Sequence, residues 1–209
     1  MIEVTRHGPV WEIVLNRPDK ANSLTAAMLE QLCDTVDQIA VSGASALILT
    51  GTGKVFSAGA DLDEAKAGLA VSPLWERLSG AIAALPCLTI AALNGTLAGG
   101  AMGMALACDL RLAVEQARFF YPVMKLGFLP QPSDPARLTA LVGPARAKMI
   151  LMAGARIEAP EALSWGLIDR IVPQDTLMDA ARTLTADACA ASASHVAAIK
   201  ALVPRPSSA

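Results

Sequence analysis

The sequence predicts an α/β fold, and three observations carry that prediction. Short apolar runs, such as A-L-I-L-T at 46–50, alternate along the chain with segments whose apolar residues recur at helical spacing. The runs end in turn-forming clusters, Gly51-Thr52-Gly53-Lys54 and Asn94-Gly95. Apolar residues make up 54% of the 209 and the formal net charge is −2, so the chain can bury a large core and lacks the composition of a disordered one.

The elements follow in order. Residues 10–15 alternate, with Trp11, Ile13 and Leu15 on one side, as a half-buried strand does. Asn16-Arg17-Pro18-Asp19-Lys20 is a polar turn. Leu24, Met28, Leu32, Val36 and Ile39 then trace one helix face, and Gly43 supplies the stop. Residues 46–50 are a strand of the kind covered on both faces. After the turn at 51–54, residues 56–62 are expected to run into another helix. Ser72-Pro73 starts the next one, with an N-cap hydroxyl and proline at the first helical position. Strands are expected at 110–114 and 118–121, helices at 135–142, 144–153 and 159–165, and a short apolar run at 168–172. The last six residues, P-R-P-S-S-A, are expected to be disordered.

One stretch invites a membrane reading. No charged residue lies between Arg77 and Asp109, a span longer than the ~20 apolar residues that cross a bilayer. Pro86, Asn94-Gly95 and Gly99-Gly100 interrupt it, so it reads as a helix, a buried strand at 89–93, a turn and a second buried helix. No membrane association is expected. The start, M-I-E-V-T-R-H, carries charge where a secretory leader would need an apolar stretch. Cys33, Cys87, Cys108 and Cys189 lie far apart and read as thiols in a reducing compartment, so a cytoplasmic location is expected. With no basic tract, nucleic acid is not an expected partner.

Several catalytic signatures fail. Gly53-Lys54 lacks the first glycine of a phosphate loop, where Ile48 stands, and Val55 replaces its hydroxyl residue. No G-x-G-x-x-G follows a strand. The two histidines, His7 and His195, lie near the ends, which leaves Ser-His-acid, Cys-His and zinc chemistry without partners. Two glycine-containing stretches remain, at 56–62 and 94–101. Each sends an apolar strand through a small-residue turn into a helix, which aims backbone N–H donors at one point. One donor from each turn can hold a carbonyl oxygen as negative charge develops on it. Taken singly, either stretch reads better as tight packing.

Together with their flanks these stretches resemble the crotonase superfamily, the enoyl-CoA hydratase/isomerase family. The matching segments are W-E-I-V-L-N-R-P-D-K-A-N-S-L (11–24), A-L-I-L-T-G-T-G-K-V-F-S-A-G-A-D-L (46–62) and I-A-A-L-N-G-T-L-A-G-G-A-M-G-M-A-L-A-C-D-L (90–110). L-G-F-L-P (126–130) and A-P-E-A-L-S-W-G-L-I-D-R-I-V-P (159–173) also match. The resemblance implies one domain over 1–209: a spiral of ββα turns to about residue 175, a short helical segment over 176–203, and the terminal six residues. It implies assembly as a homotrimer or hexamer, and an acyl-CoA or related thioester as ligand, with coenzyme A part of the substrate and no other cofactor. By position, the N–H groups of Ala60 and Gly100 would form the oxyanion hole, beside Gly99. Lys20, Ala21, Ser57, Ala58, Asp61 and Leu62 would lie near the coenzyme. Lys20 reads equally as a solvated turn residue, and Asp61 as a helix cap.

The chain also leaves the family pattern. The two glutamates that activate water in family hydratases fall on Gly103 and Val123, neither of which transfers a proton. Standard hydration is therefore not expected; isomerase- or decarboxylase-type chemistry fits better, and a catalytically silent acyl-thioester-binding or partner subunit is the rival. Val123 would still line the substrate site. Relatives place a catalytic group after the equivalent of Pro130, where this chain has Gln131-Pro132-Ser133-Asp134-Pro135. Asp134 is the one carboxylate there, either a catalytic residue or, as Ser-Asp-Pro suggests, a helix N-cap, with the cap favoured. Tyr121 is a second candidate proton donor, and Glu64 reads as a solvated helix residue. The family's additional C-terminal helices have no counterpart after the helix with His195 and Lys200, which implies a more open pocket. Gly100→Pro is expected to delete one oxyanion donor while sparing the fold.

Overall fold

The computed structural model describes residues 1–203; the terminal six residues, expected to be disordered, lie outside the described ones. The chain opens with an antiparallel pair, β1 (Ile2–His7) and β2 (Val10–Leu15). β1 left no apolar alternation in the sequence because it is an edge strand whose side chains beyond Ile2 are exposed. Helix α1 (Ala26–Val41) begins where the Thr25 hydroxyl accepts the Met28 N–H at 3.2 Å, and it buries Met28, Leu32, Val36 and Ile39 as the spacing requires.

Next come β3 (Ala46–Gly51), β4 (Val55–Ser57), α2 (Leu62–Lys66) and α3 (Leu74–Ala84). Residues 56–62 thus differ from expectation. Phe56 and Ser57 belong to a short strand, and the helix waits for Asp61, whose carboxylate accepts the Asp63 N–H at 3.1 Å. The charge-free span resolves into the end of α3, then β5 (Leu88–Leu93), β6 (Thr96–Ala98) and α4 (Met102–Ala107). Among the described residues no helix is long and apolar enough to cross a membrane. β7 (Leu110–Ala113), β8 (Arg118–Phe120) and α5 (Val123–Leu126) follow. The two helices expected over 135–153 are both present, joined as α6 (Asp134–Leu151) across a break at Gly143, where φ is 79° and Pro144 follows. The remainder is β9 (Ile157–Glu158), α7 (Ala159–Trp165), β10 (Arg170–Ile171), α8 (Leu177–Leu184), α9 (Ala186–Ala190) and α10 (Ala193–Leu202).

Two sheets organise these elements. The larger runs β1-β2-β3-β5-β7-β10, parallel from β2 onward, and the smaller runs β4-β6-β8-β9. β3, β5 and β7 each feed a strand of the smaller sheet and then a helix, so the chain spirals through successive ββα turns. Ile13, Leu15, Leu47, Ile48, Leu49 and Ile90 are fully buried, which is why β3 and β5 read as continuous apolar runs.

Two buried asparagines hold the crossing from one sheet to the other. Asn94, after β5, accepts the Gly51 N–H at 3.0 Å and donates to the Gly53 and Val55 carbonyls at 3.0 and 3.2 Å. Asn22 donates to Thr52 and Val55 carbonyls at 2.9 and 2.7 Å and accepts the Arg17 N–H at 2.8 Å. At the other end of the strands, Lys200 donates to Asp109 and to the Cys87 carbonyl, both at 2.7 Å, and so docks α10. Arg182 on α8 pairs with buried Glu12 on β2 through two nitrogens, at 2.7 and 2.9 Å, which lowers the Glu12 pKa.

Asn94→Ala removes the acceptor of the Gly51 N–H and the donor to the Gly53 carbonyl, whereas the Val55 carbonyl keeps Asn22. These groups are only partly buried, so we expect a loss of about 1–3 kcal/mol. Urea unfolding checks this: the midpoint falls while the slope with denaturant stays at the wild-type value.

Candidate active site

The site is built where the turn after β4 meets the turn after β6. Gly59, with φ of 94°, packs against the second turn so closely that a Cβ there would lie 3.0 Å from the Ala98 oxygen and 3.4 Å from the Gly100 nitrogen. Only glycine tolerates both that backbone angle and that approach. The Leu24 N–H donates to the Gly59 oxygen and the Asp61 N–H to the Leu24 oxygen, both at 2.8 Å, which pins the residues on either side of Ala60. Among the described residues the Ala60 N–H has no acceptor. Gly100 is the second residue of a 3₁₀ turn, Gly99–Ala101, that leads into α4, so its N–H also lacks an intrahelical partner. Both residues are partly exposed. The structure therefore packs together the two turns that carry the donors the sequence singled out.

Behind Gly100 lies Trp75 of α3, a residue the sequence reading missed. A Cβ at Gly100 would stand 3.0 to 3.1 Å from three atoms of the indole ring. The ring is buried, and its N–H donates to the Leu69 carbonyl at 2.8 Å. This corrects the expectation for Gly100→Pro: any side chain at 100 presses on the indole, so that variant perturbs packing as well as the donor.

The residues carried over to the coenzyme also converge. The Ala58 N–H donates to the Ala21 oxygen at 3.0 Å, and the Ser57 hydroxyl to the Asn22 oxygen at 2.8 Å. Ala21 and Asn22 both adopt left-handed backbone angles, with φ of 51°, to make this turn. Lys20 and Leu62 are exposed beside it. Asp61 caps α2 as its plain reading held, and it also pairs with Arg17 at 2.8 Å, which holds its carboxyl below the usual range. Arg17 was not singled out from the sequence. Glu64 departs from the solvated reading: it accepts the Ala26 N–H at 2.7 Å and closes the first turn of α1.

Asp134 is the main correction. It is the first residue of α6, but its side chain makes no capping bond to that helix. It is fully buried, and Oδ2 accepts the Tyr121 hydroxyl at 3.0 Å. Oδ1 has no hydrogen-bond partner and points at Gly103: a Cβ there would lie 3.0 Å from it. Arg137 stands 3.9 Å away. The cap reading fails because burial and Tyr121 draw the carboxyl inward, while the preceding Ser133 is held by Glu76 of α3, which accepts both its N–H (3.1 Å) and its hydroxyl. Burial, reinforced by Glu76 and only partly countered by Tyr121 and Arg137, pushes the Asp134 pKa up to about 7. The same burial raises the Tyr121 phenol above its ordinary value. Val123 is buried at the start of α5, and Gln131 is buried with its N–H 3.4 Å from the Tyr121 oxygen. Burial also raises the Cys87 and Cys108 thiols, to about 11 and 12, which makes them poor nucleophiles at neutral pH.

The ββα spiral, with the turns after β4 and β6 packed together and the buried Asp134 carboxyl against Gly103, is the architecture of a crotonase-fold protein. The chain belongs to the enoyl-CoA hydratase/isomerase family, whose sequence profile it matches over residues 5–209. Proteins named carnitinyl-CoA dehydratase, from Salmonella enteritidis PT4 and Citrobacter koseri, are 39% identical over 210 residues, covering 95% of this chain and 78% of theirs. A solved enoyl-CoA hydratase from Bacillus anthracis is 35% identical, with a TM-score of 0.88 over 96% of this chain and 81% of that one. The Pseudomonas aeruginosa protein PA4980 superposes equally well, at 30% identity over 96% of this chain and 89% of its own.

The raised Asp134 pKa makes stability depend on pH. The folded state keeps this proton to about pH 7, whereas an unfolded aspartate releases it near pH 3.9. Stability contributed by the neutral acid is therefore complete below about pH 4 and is lost as pH rises towards 7. Asp134→Asn removes this loss. Thermal unfolding of both proteins from pH 4.5 to 8 should show the variant gaining on the wild type as pH rises, with the difference level above pH 7.5.

Proposed function

We propose that this chain carries out proton-transfer chemistry at the α-carbon of an acyl-CoA thioester, through an enolate held by the Ala60 and Gly100 N–H groups. The observation that carries the reading is the approach of Gly59 to Gly100, which supports a shared ligand for the Ala60 and Gly100 amides. A thioester carbonyl seated there gains little in the ground state and much as its oxygen takes up charge. The names of the carnitinyl-CoA dehydratase relatives support a coenzyme A thioester as the substrate class.

Asp134 is the proton carrier in this reading. A pKa of about 7 keeps both its acid and its base forms populated at neutral pH, which is the condition for efficient general acid–base catalysis. One carrier suffices for two reaction types. In a double-bond shift, the carboxylate takes the α-proton, the C–H pair passes into the enolate, and the proton returns at the γ-carbon. In decarboxylation, the bond to CO₂ supplies that pair, and the acid form protonates the α-carbon. Hydration needs a second group to activate water, and the position that would supply it is the buried Val123. An isomerase- or decarboxylase-type reaction is therefore favoured over hydration.

Two measurements test the reading. Calorimetry with acetyl-CoA and butyryl-CoA should detect binding at millimolar ligand, and Asp134→Asn should leave the affinity within a few-fold. In D₂O the wild type should exchange the α-protons of butyryl-CoA, and Asp134→Asn should slow that exchange by ~10²-fold or more, the usual worth of a positioned acid or base. Binding without exchange in the wild type would instead describe a non-catalytic thioester-binding subunit. Crotonyl-CoA hydration should be slow in both proteins.

A further inference from the structure

The mechanism above uses Asp134 as a proton carrier but leaves open which oxygen does the work and what holds it. Three elements meet at that carboxyl: α4 through Gly103, the segment after β8 through Tyr121, and the start of α6, which bears Asp134 itself. We propose that Tyr121 is a positioning residue that reserves Oδ1 of Asp134 for the acid proton, and that Gly103 is the clearance that admits this oxygen. The proposal rests on the reading of Asp134 as the proton carrier.

The argument is one of donors and acceptors. Tyr121 is buried, and its hydroxyl is 3.0 Å from Oδ2 and receives the Gln131 N–H at 3.4 Å. With that amide occupying an acceptor site on the phenol oxygen, the phenol hydrogen is directed to Oδ2. A protonated carboxyl has one hydroxyl oxygen and one carbonyl oxygen, and the oxygen that accepts from Tyr121 is best used as the carbonyl. The acid proton then sits on Oδ1, which has no other partner. The remaining charged groups facing the carboxyl are Arg137 of α6, 3.9 Å from Oδ1, and Glu76 of α3, which is tied to Ser133. Neither makes a hydrogen bond to it, so Tyr121 is the one hydrogen-bond donor that distinguishes the two oxygens among the described residues.

Gly103 completes the arrangement. Glycine inside a helix is destabilising relative to alanine, so its presence in α4 calls for a local reason. A Cβ at 103 would lie 3.0 Å from Oδ1 and 3.3 Å from Oδ2 of Asp134. The carboxyl occupies space that any side chain on α4 would fill. Residue 103 thus surrenders its own side chain, and the helix facing it delivers a carboxyl to the same spot.

The test follows the carboxyl directly and the reaction separately. Protein labelled with ¹³C at the aspartate carboxyl carbons is titrated by NMR, and α-proton exchange of butyryl-CoA is measured over the same pH range. In the wild type one aspartate, missing from Asp134→Asn, should titrate well above the rest, and exchange should rise with the same midpoint. Tyr121→Phe, which keeps the ring and loses the donor, should raise both midpoints together by roughly one pH unit, since the lost hydrogen bond favoured the ionised form. A merely structural tyrosine would lower the melting temperature and leave the midpoints in place. Gly103→Ala should slow exchange at least tenfold with the fold retained, because helix propensity favours alanine. Unchanged midpoints in Tyr121→Phe, or full exchange in Gly103→Ala, would overturn the proposal. Exchange indifferent to Asp134, despite a Tyr121-dependent titration, would overturn the acid assignment and with it the catalytic part of the inference.

Discussion

The contact on which the rest of the structure depends is the one between Gly59 and the Ala98–Gly100 backbone. It joins the ends of β4 and β6, adjacent strands of the smaller sheet, at a separation that excludes even a methyl group. Everything needed to hold two amides at one point is recruited to support it. Asn22 and Asn94 approach the β3–β4 connection from either side and share the Val55 carbonyl. Each is a buried amide whose donors and acceptor are spent on backbone groups that no strand pairing could reach. Such groups are costly when unpaired, so the two side chains convert an irregular crossing into a rigid one. In the proposed mechanism that rigidity would serve the chemistry, because an oxyanion hole contributes only if its dipoles need not reorganise when charge appears.

Asp134 shows the opposite bias, towards tension rather than satisfaction. A carboxyl at the start of a helix would ordinarily turn outward and bond the free amides of the first turn. Here it is turned inward, half-partnered, against a helix that has given up a side chain to receive it. The fold bears this because the neighbouring Ser133 is fixed by Glu76, and because the acid is neutral over much of the accessible pH range. A buried polar group kept short of its full complement of hydrogen bonds is a cost that packing alone does not explain. The proposed role in proton transfer would account for it: a fully satisfied carboxyl would be a stable ion, and a stable ion is a poor acid.

How much of this the sequence disclosed depended on whether a feature was written as a pattern or as a meeting. β2, β3, β5 and β7 and helices α1, α3 and α7 stood out because burial on one face or two leaves a period of two, a period of 3.6, or an unbroken apolar run. The edge strand β1 and the short strands β4, β6 and β9 left no such trace, being either exposed or only two to three residues long. The oxyanion turns were legible because their glycines are local requirements and because the segments around them match a family. Asn22, Arg17, Trp75 and Glu76 were not, since nothing in their neighbourhood along the chain shows what they touch. Asp134 was misread for an informative reason. Ser133-Asp134-Pro135 has the composition of a helix cap, and local preference pointed there, but the side chain's partners lie 13 and 31 residues away, at Tyr121 and Gly103.

The pairing of Gly103 with Asp134 also bears on how such a site is read in general. Position by position, the chain has lost both carboxylates on which water activation depends, and that reading alone points to an inert protein. In three dimensions the loss at 103 is matched by a gain at 134, because α4 and the start of α6 face the same space and either can fill it. A spiral of ββα turns makes such exchange easy. Each turn ends in a segment that opens onto the same site, so a functional group can move from one turn to the next without moving far in space. What is not replaced is equally informative. Val123 stays apolar and buried. Under the proposed function the chain would work with the single carboxyl at 134, and it is this asymmetry, rather than the absence of glutamate as such, that would separate its chemistry from the addition of water.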